Sequence, residues 1–218
     1  MPSIIQTDTL KDASANKTLA EYSSSAWSWG TPPAGTVLQV VSTTDDNDFS
    51  FTCTSNWDYG TASTRADGSH GSVADNLNVT LTTKGVNSNF LIMQNISQLS
   101  PGAVQYNVGI RTYWSVDSYA NPLSVGSTSN GPWSSGTNVQ QGHWNVGVDN
   151  DQSPSVDSVF MKSSNTIAKG TSVTFKLCIS TYYTSVGNVL RYNNQTGGSN
   201  GAWRMNVISS HTVYEIAT

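Results

Sequence analysis

The chain reads as an all-β protein of about ten short strands behind an extended N-terminal lead. Three observations predict this. Apolar residues alternate with polar ones over short runs, no run keeps a 3.6-residue period long enough for a helix, and turn-forming Gly, Asn, Asp, Ser and Pro separate the runs. Evenly spaced strands without βαβ alternation leave a sandwich, a jelly roll or a barrel, and the lack of a fixed repeat argues against a solenoid or propeller.

The lead comes first. Residues 1–35 carry Ile4, Ile5, Leu10, Leu19 and Trp27 among polar neighbours and end at Pro32-Pro33. With the strand-rich remainder and the family resemblance given below, this lead is expected to be an attachment or oligomerisation arm, whose apolar side chains are buried only against partners and which is disordered in an isolated monomer. The β domain follows over residues 36–218. Residues 35–42, Gly-Thr-Val-Leu-Gln-Val-Val-Ser, are β-branched and compact and form the first strand. In 48–53 the strict alternation places Phe49, Phe51 and Cys53 on one face. Residues 54–76 read as a long surface loop. Strands resume at 77–82, with Leu77, Val79 and Leu81 sharing a face, then at 89–97, a near-continuous apolar run, and at 104–114.

Residues 117–143, with Pro122 and Pro132, form a second long loop. After it come strands at 143–148 and 158–161. The clearest pattern in the chain is next: Val173, Phe175, Leu177, Ile179, Thr181 and Tyr183 alternate with Thr174, Lys176, Cys178, Ser180 and Tyr182. Strands at 189–192, 202–208 and 213–216 complete the set.

Composition narrows the function classes. The charged fraction is 11%, about half that of ordinary soluble domains, and uncharged polar residues fill the gap. Seven Trp, nine Tyr and five Phe exclude a disordered chain. A net charge of −4 with ten dispersed basic residues excludes a sequence-independent grip on nucleic acid. No apolar run is long enough for a membrane helix. Met1-Pro2-Ser3 begins neither a basic nor an apolar signal region, so synthesis in a cytosol is expected. Cys53 and Cys178, each inside a strand pattern, are expected as buried free thiols.

No pattern for enzymatic chemistry emerges, and no cofactor or metal is expected. The acids fall in turns, Asp45-Asp46-Asn47-Asp48 and Asp149-Asn150-Asp151, where Asp and Asn bond their own backbone; the spacing fits no EF-hand loop. A glycosidase would need a carboxylate pair. His70, His143 and His211 lack zinc spacing, and Gly197-Gly198-Ser199-Asn200-Gly201 is a hairpin turn with no helix after it. Aromatic residues in polar loops stand out instead. Trp57 and Tyr59 in the first loop and Tyr119 and Trp133 in the second combine a rigid apolar face with a polar tip. They either bind a ligand, with a glycan the natural class, or fold back to cover the ends of the sandwich.

Several stretches together resemble a known family. Residues 4–12, Ile-Ile-Gln-Thr-Asp-Thr-Leu-Lys-Asp; 33–41, Pro-Ala-Gly-Thr-Val-Leu-Gln-Val-Val; 78–82, Asn-Val-Thr-Leu-Thr; 90–93, Phe-Leu-Ile-Met; and 212–217, Thr-Val-Tyr-Glu-Ile-Ala, are similar to the small fibre and appendage proteins of marine tailed bacteriophages, such as those infecting cyanobacteria. The resemblance implies an N-terminal docking segment and a jelly-roll β-sandwich like the trimeric tumour-necrosis-factor-like heads. It further implies a non-enzymatic homotrimer located in the virion, with other virion proteins as partners and host surface polysaccharide as a target. A head-decoration or collar protein that stabilises the particle without a receptor is the alternative. The two long loops depart from the commoner family pattern and are where target specificity is expected.

Overall fold

The computed structural model describes residues 9–11, 18–23, 26–29, 32–47, 49–52, 60–67, 74–97, 100–101, 106–123, 142–146, 156–164, 166–181, 189–192 and 208–218. Ile4, Ile5, Trp57, Tyr59, Trp133, Cys53 and all but the last residue of the strand expected at 202–208 lie outside them. Among the described residues no helix is long and apolar enough to cross a membrane.

The protein is an all-β sandwich. Fourteen strands occur among the described residues: β1 (Thr9–Lys11), β2 (Thr18–Ser23), β3 (Ala26–Trp29), β4 (Val37–Asp45), β5 (Phe49–Thr52), β6 (Val79–Thr82), β7 (Asn89–Ile96), β8 (Ser100–Pro101), β9 (Tyr106–Trp114), β10 (Gly142–Val146), β11 (Val156–Ser163), β12 (Ser172–Thr181), β13 (Val189–Tyr192) and β14 (Ser209–Ile216). Eight of them form two antiparallel four-stranded sheets, ordered β10-β9-β12-β6 and β11-β7-β14-β4. Two three-stranded sheets, β1-β2-β3 and β5-β13-β8, accompany these.

The core lies between the two large sheets. Val79 and Leu81 of β6, Val173 and Phe175 of β12 and Trp114 of β9 meet Phe90 and Ile92 of β7 and Val213 of β14. Phe90 packs edge-on to Trp114 with ring centroids 6.4 Å apart and tilts against Phe175 at 5.4 Å. The inward set Val173, Phe175, Leu177 and Ile179 is fully buried, as the period of two requires.

Polar groups buried beside this core are hydrogen-bonded. The Glu215 carboxylate accepts from the backbone N–H of Lys84 and Gly85, from Ser88 Oγ at 2.7 Å and from Gln39 Nε2 at 2.5 Å. Burial alone would raise its pKa, but the bonds from Ser88, Gly85, Lys84 and Gln39 outweigh that and hold it below the ordinary carboxylate value. A Cβ at Gly85 would sit 2.6 Å from Ser88 Oγ and 2.7 Å from Leu38 Cδ1, so a side chain there would displace Ser88, one of the donors to the carboxylate, and Leu38. His211, also fully buried, has Nδ1 2.8 Å from the Leu77 carbonyl, and burial pushes its pKa down to about 4. It therefore sits neutral, donating from Nδ1.

Two expectations are corrected. The lead is not a single extended arm. β1, β2 and β3 fold back on one another as an antiparallel meander, with Leu10 opposite Ala20, Ala20 opposite Trp29 and Tyr22 opposite Trp27; Leu19 lies in β2 at a register shift. The reason is in Ala-Trp-Ser-Trp, a short alternating run with aromatic strand-formers that pairs locally once the chain turns back. The loop at 54–76 is not plain either. It contains a helix, α1 (Ala62–Asp67), and a 3-10 turn at Asp75–Leu77. Thr61 and Thr64 cap α1 reciprocally: Thr61 N–H donates to Thr64 Oγ1 at 2.9 Å and Thr64 N–H to Thr61 Oγ1 at 3.4 Å.

Candidate functional site

In an ordinary antiparallel sandwich the outward residues of a sheet face water. On β12 they do not: Lys176 and Cys178 are as buried as the inward set. What covers them is the chain itself, because the two long excursions of the sequence meet over the outer face of the β10-β9-β12-β6 sheet.

Backbone bonds to the sheet place both excursions. Ala74 N–H donates to the Leu177 carbonyl at 2.9 Å and Leu123 N–H to the Thr112 carbonyl at 2.8 Å, so each segment runs on from the sheet ladder. Arg65, near the end of α1, then fastens one excursion to the other. Its Nε and Nη2 donate to the Tyr119 carbonyl at 3.0 and 2.6 Å, Nη2 reaches the Ala120 carbonyl at 3.4 Å, and Nη1 donates to the Gly60 carbonyl. The guanidinium lies 3.8 Å from the ring centroid of Tyr113, a stacked cation–π contact. Lys176, opposite Tyr113 in the register, donates from Nζ to the Arg65 carbonyl at 2.6 Å and the Ala66 carbonyl at 3.4 Å. It thereby satisfies the C-terminal carbonyls of α1 with a cation, the sign the helix end favours.

Tyr119 is brought into this cluster by unusual backbone. Ser118 and Tyr119 both adopt left-handed conformations, with φ of 57° and 60°. Non-glycine residues there cost on the order of 1 kcal/mol each, and such outliers cluster where a site is being shaped. The bonds Ser118 N–H to Ser115 O, Tyr119 N–H to Trp114 O and Asn121 N–H to Asp117 Oδ2 hold the turn. The Tyr119 ring packs on Tyr113 and Cys178, with Lys176 Nζ 5.1 Å from its centroid, and stays half-buried.

Of the four aromatic residues expected to recognise a ligand, Tyr119 is the one described. Its ring packs on the Tyr113–Cys178 cluster over the outer face of the sheet and stays half-buried. Arg65, Tyr113 and Lys176 are the residues sequence reasoning missed. Lys176 had a signal, a lone cation inside an alternating apolar strand; Arg65, within Ser-Thr-Arg-Ala-Asp, had none.

Burial dominates the electrostatics of this cluster. Burial pushes the Cys178 thiol up to about 12 against the pull of Arg65 and Lys176, and burial likewise raises Tyr113 against the pull of Arg111 and Arg65. Neither group is an anionic nucleophile at neutral pH. Asp45 behaves as a turn residue, with Oδ1 accepting from Asn47 N–H and Nδ2 and Oδ2 from Asn76 Nδ2. Among the described residues no three His, Cys, Asp or Glu side chains gather in a metal-binding group. No protein-family model matches the chain, and no curated protein matches it closely enough to count as a relative.

Proposed function

We propose that the chain is a structural, non-enzymatic subunit of a tailed-phage particle: a fibre or appendage protein whose sandwich carries a recognition platform for host surface polymer. The observation that carries the reading is the Arg65 tie, which holds residues 60–67 and 115–123 together over one sheet. Loops set on a rigid sheet are the usual carriers of recognition. Trp57 and Tyr59 precede Gly60 in sequence and Trp133 follows the described part of the second excursion, so the aromatic residues expected to bind belong to the two segments that Arg65 joins. Aromatic faces stack on sugars while Asn, Ser and Gln bond hydroxyls.

The strand order supports the jelly-roll part of the reading. Numbered in chain order, the eight sandwich strands fall into sheets of 5-4-7-2 and 6-3-8-1, an arrangement that two interleaved Greek keys produce. In this proposal the β1–β3 region, with Ile4, Ile5, Leu10, Leu19 and Trp27, docks on the particle, and copies associate as a homotrimer. The alternative of a head-decoration or collar protein is favoured by one observation, the exposed apolar side chains Val40, Val159 and Met161 on the β11-β7-β14-β4 sheet.

Binding of the purified chain to immobilised cyanobacterial lipopolysaccharide tests the platform. Saturable binding is expected, weakened at least tenfold by Tyr119→Ala combined with Trp133→Ala. Absence of binding across lipopolysaccharide and capsule preparations, with particle incorporation intact, overturns the receptor role in favour of the decoration reading.

A further inference from the structure

Inside the sandwich, one row of the β11-β7-β14-β4 sheet interrupts the apolar core. The register sets Gln94 of β7 beside His211 of β14 and His211 beside Thr43 of β4, whereas the next inward row pairs Ile92 with Val213. Gln94 and His211 are 3 and 0% exposed. Burying a carboxamide and an imidazole costs free energy that apolar side chains would not, unless each satisfies the other. Gln94 Nε2 donates across the core to Thr112 Oγ1 of β9 at 2.5 Å, which joins the two sheets, and lies 3.4 Å from His211 Nε2. Nδ1 of His211 gives its proton to the Leu77 carbonyl. In the neutral ring Nε2 is therefore an acceptor, and the N–H end of the amide is the end that suits it. The other end, Gln94 Oε1, is buried with no donor among the described residues.

We propose that Gln94 and His211 form a proton-responsive link between the sheets: when His211 takes a proton at Nε2, the Gln94 amide turns over, and its Oε1 accepts from His211 and from Thr112. Three features favour a turn over a break. The two ends of a carboxamide are nearly alike in size, so the turn needs no repacking of the core. The Thr112 hydroxyl donates as readily as it accepts, so the link to β9 survives reversal. The imidazolium, with Nδ1 committed to Leu77, needs an acceptor for its new N–H, and facing an amide N–H it would be a buried charge with an unmatched donor. The turn waits for the proton because it moves the amide N–H groups to where Oε1 lay, a cost that only the imidazolium bond offsets. Among the described residues no charged side chain takes the place of Oε1. The inward residues of β9 and β12 at this end are Ile110, Thr112, Leu177 and Ile179, while Arg111, Lys176 and Cys178 lie on the outer face. On β6 and β7 the inward neighbours are Val79, Leu81, Phe90, Ile92 and Ile96. Asp45 of β4 stands one row away, opposite Ser209, and accepts from Asn47 and Asn76. Glu215 of β14 and Lys162 of β11 lie two rows away beside Phe90, the first held by its own donors and the second over Trp114. Asp75 of the 3-10 turn is exposed and accepts from Asn78.

Nuclear magnetic resonance of the full chain from neutral pH into acid tests this. At neutral pH the Gln94 side-chain amide protons should show NOEs to the His211 ring and to Thr112. As His211 titrates, the Gln94 amide resonances should shift with the same midpoint, those NOEs should fade, and a protected His211 Nε2–H should appear. Gln94→Leu removes the acceptor and should lower the His211 midpoint by about one pH unit or more. Gln94→Glu, which accepts but cannot donate when ionised, should raise it. A Gln94 amide indifferent to the titration of His211, a midpoint unchanged in Gln94→Leu, or a chain that unfolds before His211 takes its proton overturns the inference. If the variants misfold, the wild-type NOEs decide alone: amide-to-ring NOEs that persist once His211 is protonated overturn it, and their loss at the His211 midpoint upholds it.

Discussion

The two outer faces of the sandwich are treated in opposite ways. Over the β10-β9-β12-β6 sheet the chain spends two excursions, a capped helix and two buried cations to build a roof. Over the β11-β7-β14-β4 sheet the described residues offer Val, Met and Leu to solvent with no roof at all. The difference separates a face whose cover is part of the fold from one for which the described residues supply no cover.

The largest expected effect is at the roof. Arg65→Ala leaves the Tyr119 and Gly60 carbonyls without their charged donor and strips the cation from Tyr113, a loss of about 3 kcal/mol in urea unfolding. Arg65→Lys should recover less than half of it, because an ammonium lacks the planar fork that spans the Tyr119 and Gly60 carbonyls while lying flat on the Tyr113 ring. A loss below 1 kcal/mol would mean the excursions are held by something other than this residue.

Acid sharpens the comparison next, because His211 on β14 reaches across to the Leu77 carbonyl and so joins the bare sheet to the end of the first excursion. A histidine at about 4 in the fold and 6.5 when unfolded contributes nothing to pH dependence above 6.5. Stability then falls by about 3 kcal/mol as pH drops from 6.5 to about 4, where the unfolded chain binds a proton the fold refuses. Glu215, depressed below its ordinary 4.5, supports the fold above that pH and adds a further loss only as pH falls through its lower folded value. Thermal melts between pH 7 and 4 should show the first decline, and His211→Gln should flatten it. A wild type equally stable at pH 7 and 4.5 would show that His211 is not buried neutral.

Lys176→Met is a smaller probe of the roof. It keeps the packed stem, removes the bonds to the Arg65 and Ala66 carbonyls and should cost about 1 kcal/mol, with faster amide exchange confined to 60–67. Exchange that quickens throughout the sandwich would mean α1 is part of the core and not a cover.

Much of the fold was legible in the sequence because a period of two is a strong signal when one face is buried: Val173, Phe175, Leu177 and Ile179 sit inward as their spacing demands. The roof was not, since α1 is six residues long without an apolar stripe and owes its C-terminal end to Lys176, a contact far away in sequence. The N-terminal meander was half legible: Trp27 and Trp29 alternate, but pairing with β2 is decided by where the chain turns. Phe90-Leu91-Ile92-Met93 is the most instructive stretch. A near-continuous apolar run predicts a strand buried on both faces, and here Phe90 and Ile92 are buried while Met93 is exposed. One face of the run is covered by the core, and cover for the other is not supplied by the described residues.

The smallest expected effect on folding is therefore the most informative about the bare face. Val40→Thr and Met161→Gln replace exposed apolar side chains by polar ones of similar size, at positions that touch no buried network, and each should shift monomer stability by less than about 0.5 kcal/mol. Measured in dilute protein, where association is absent, the pair separates two accounts of these side chains. If they were part of the chain's own core, the substitutions would be as costly as a cavity at Phe90. If they belong to an interface, unfolding in dilute solution is unchanged while self-association weakens, and the stability of the protein becomes dependent on its concentration in the wild type but not in the variants.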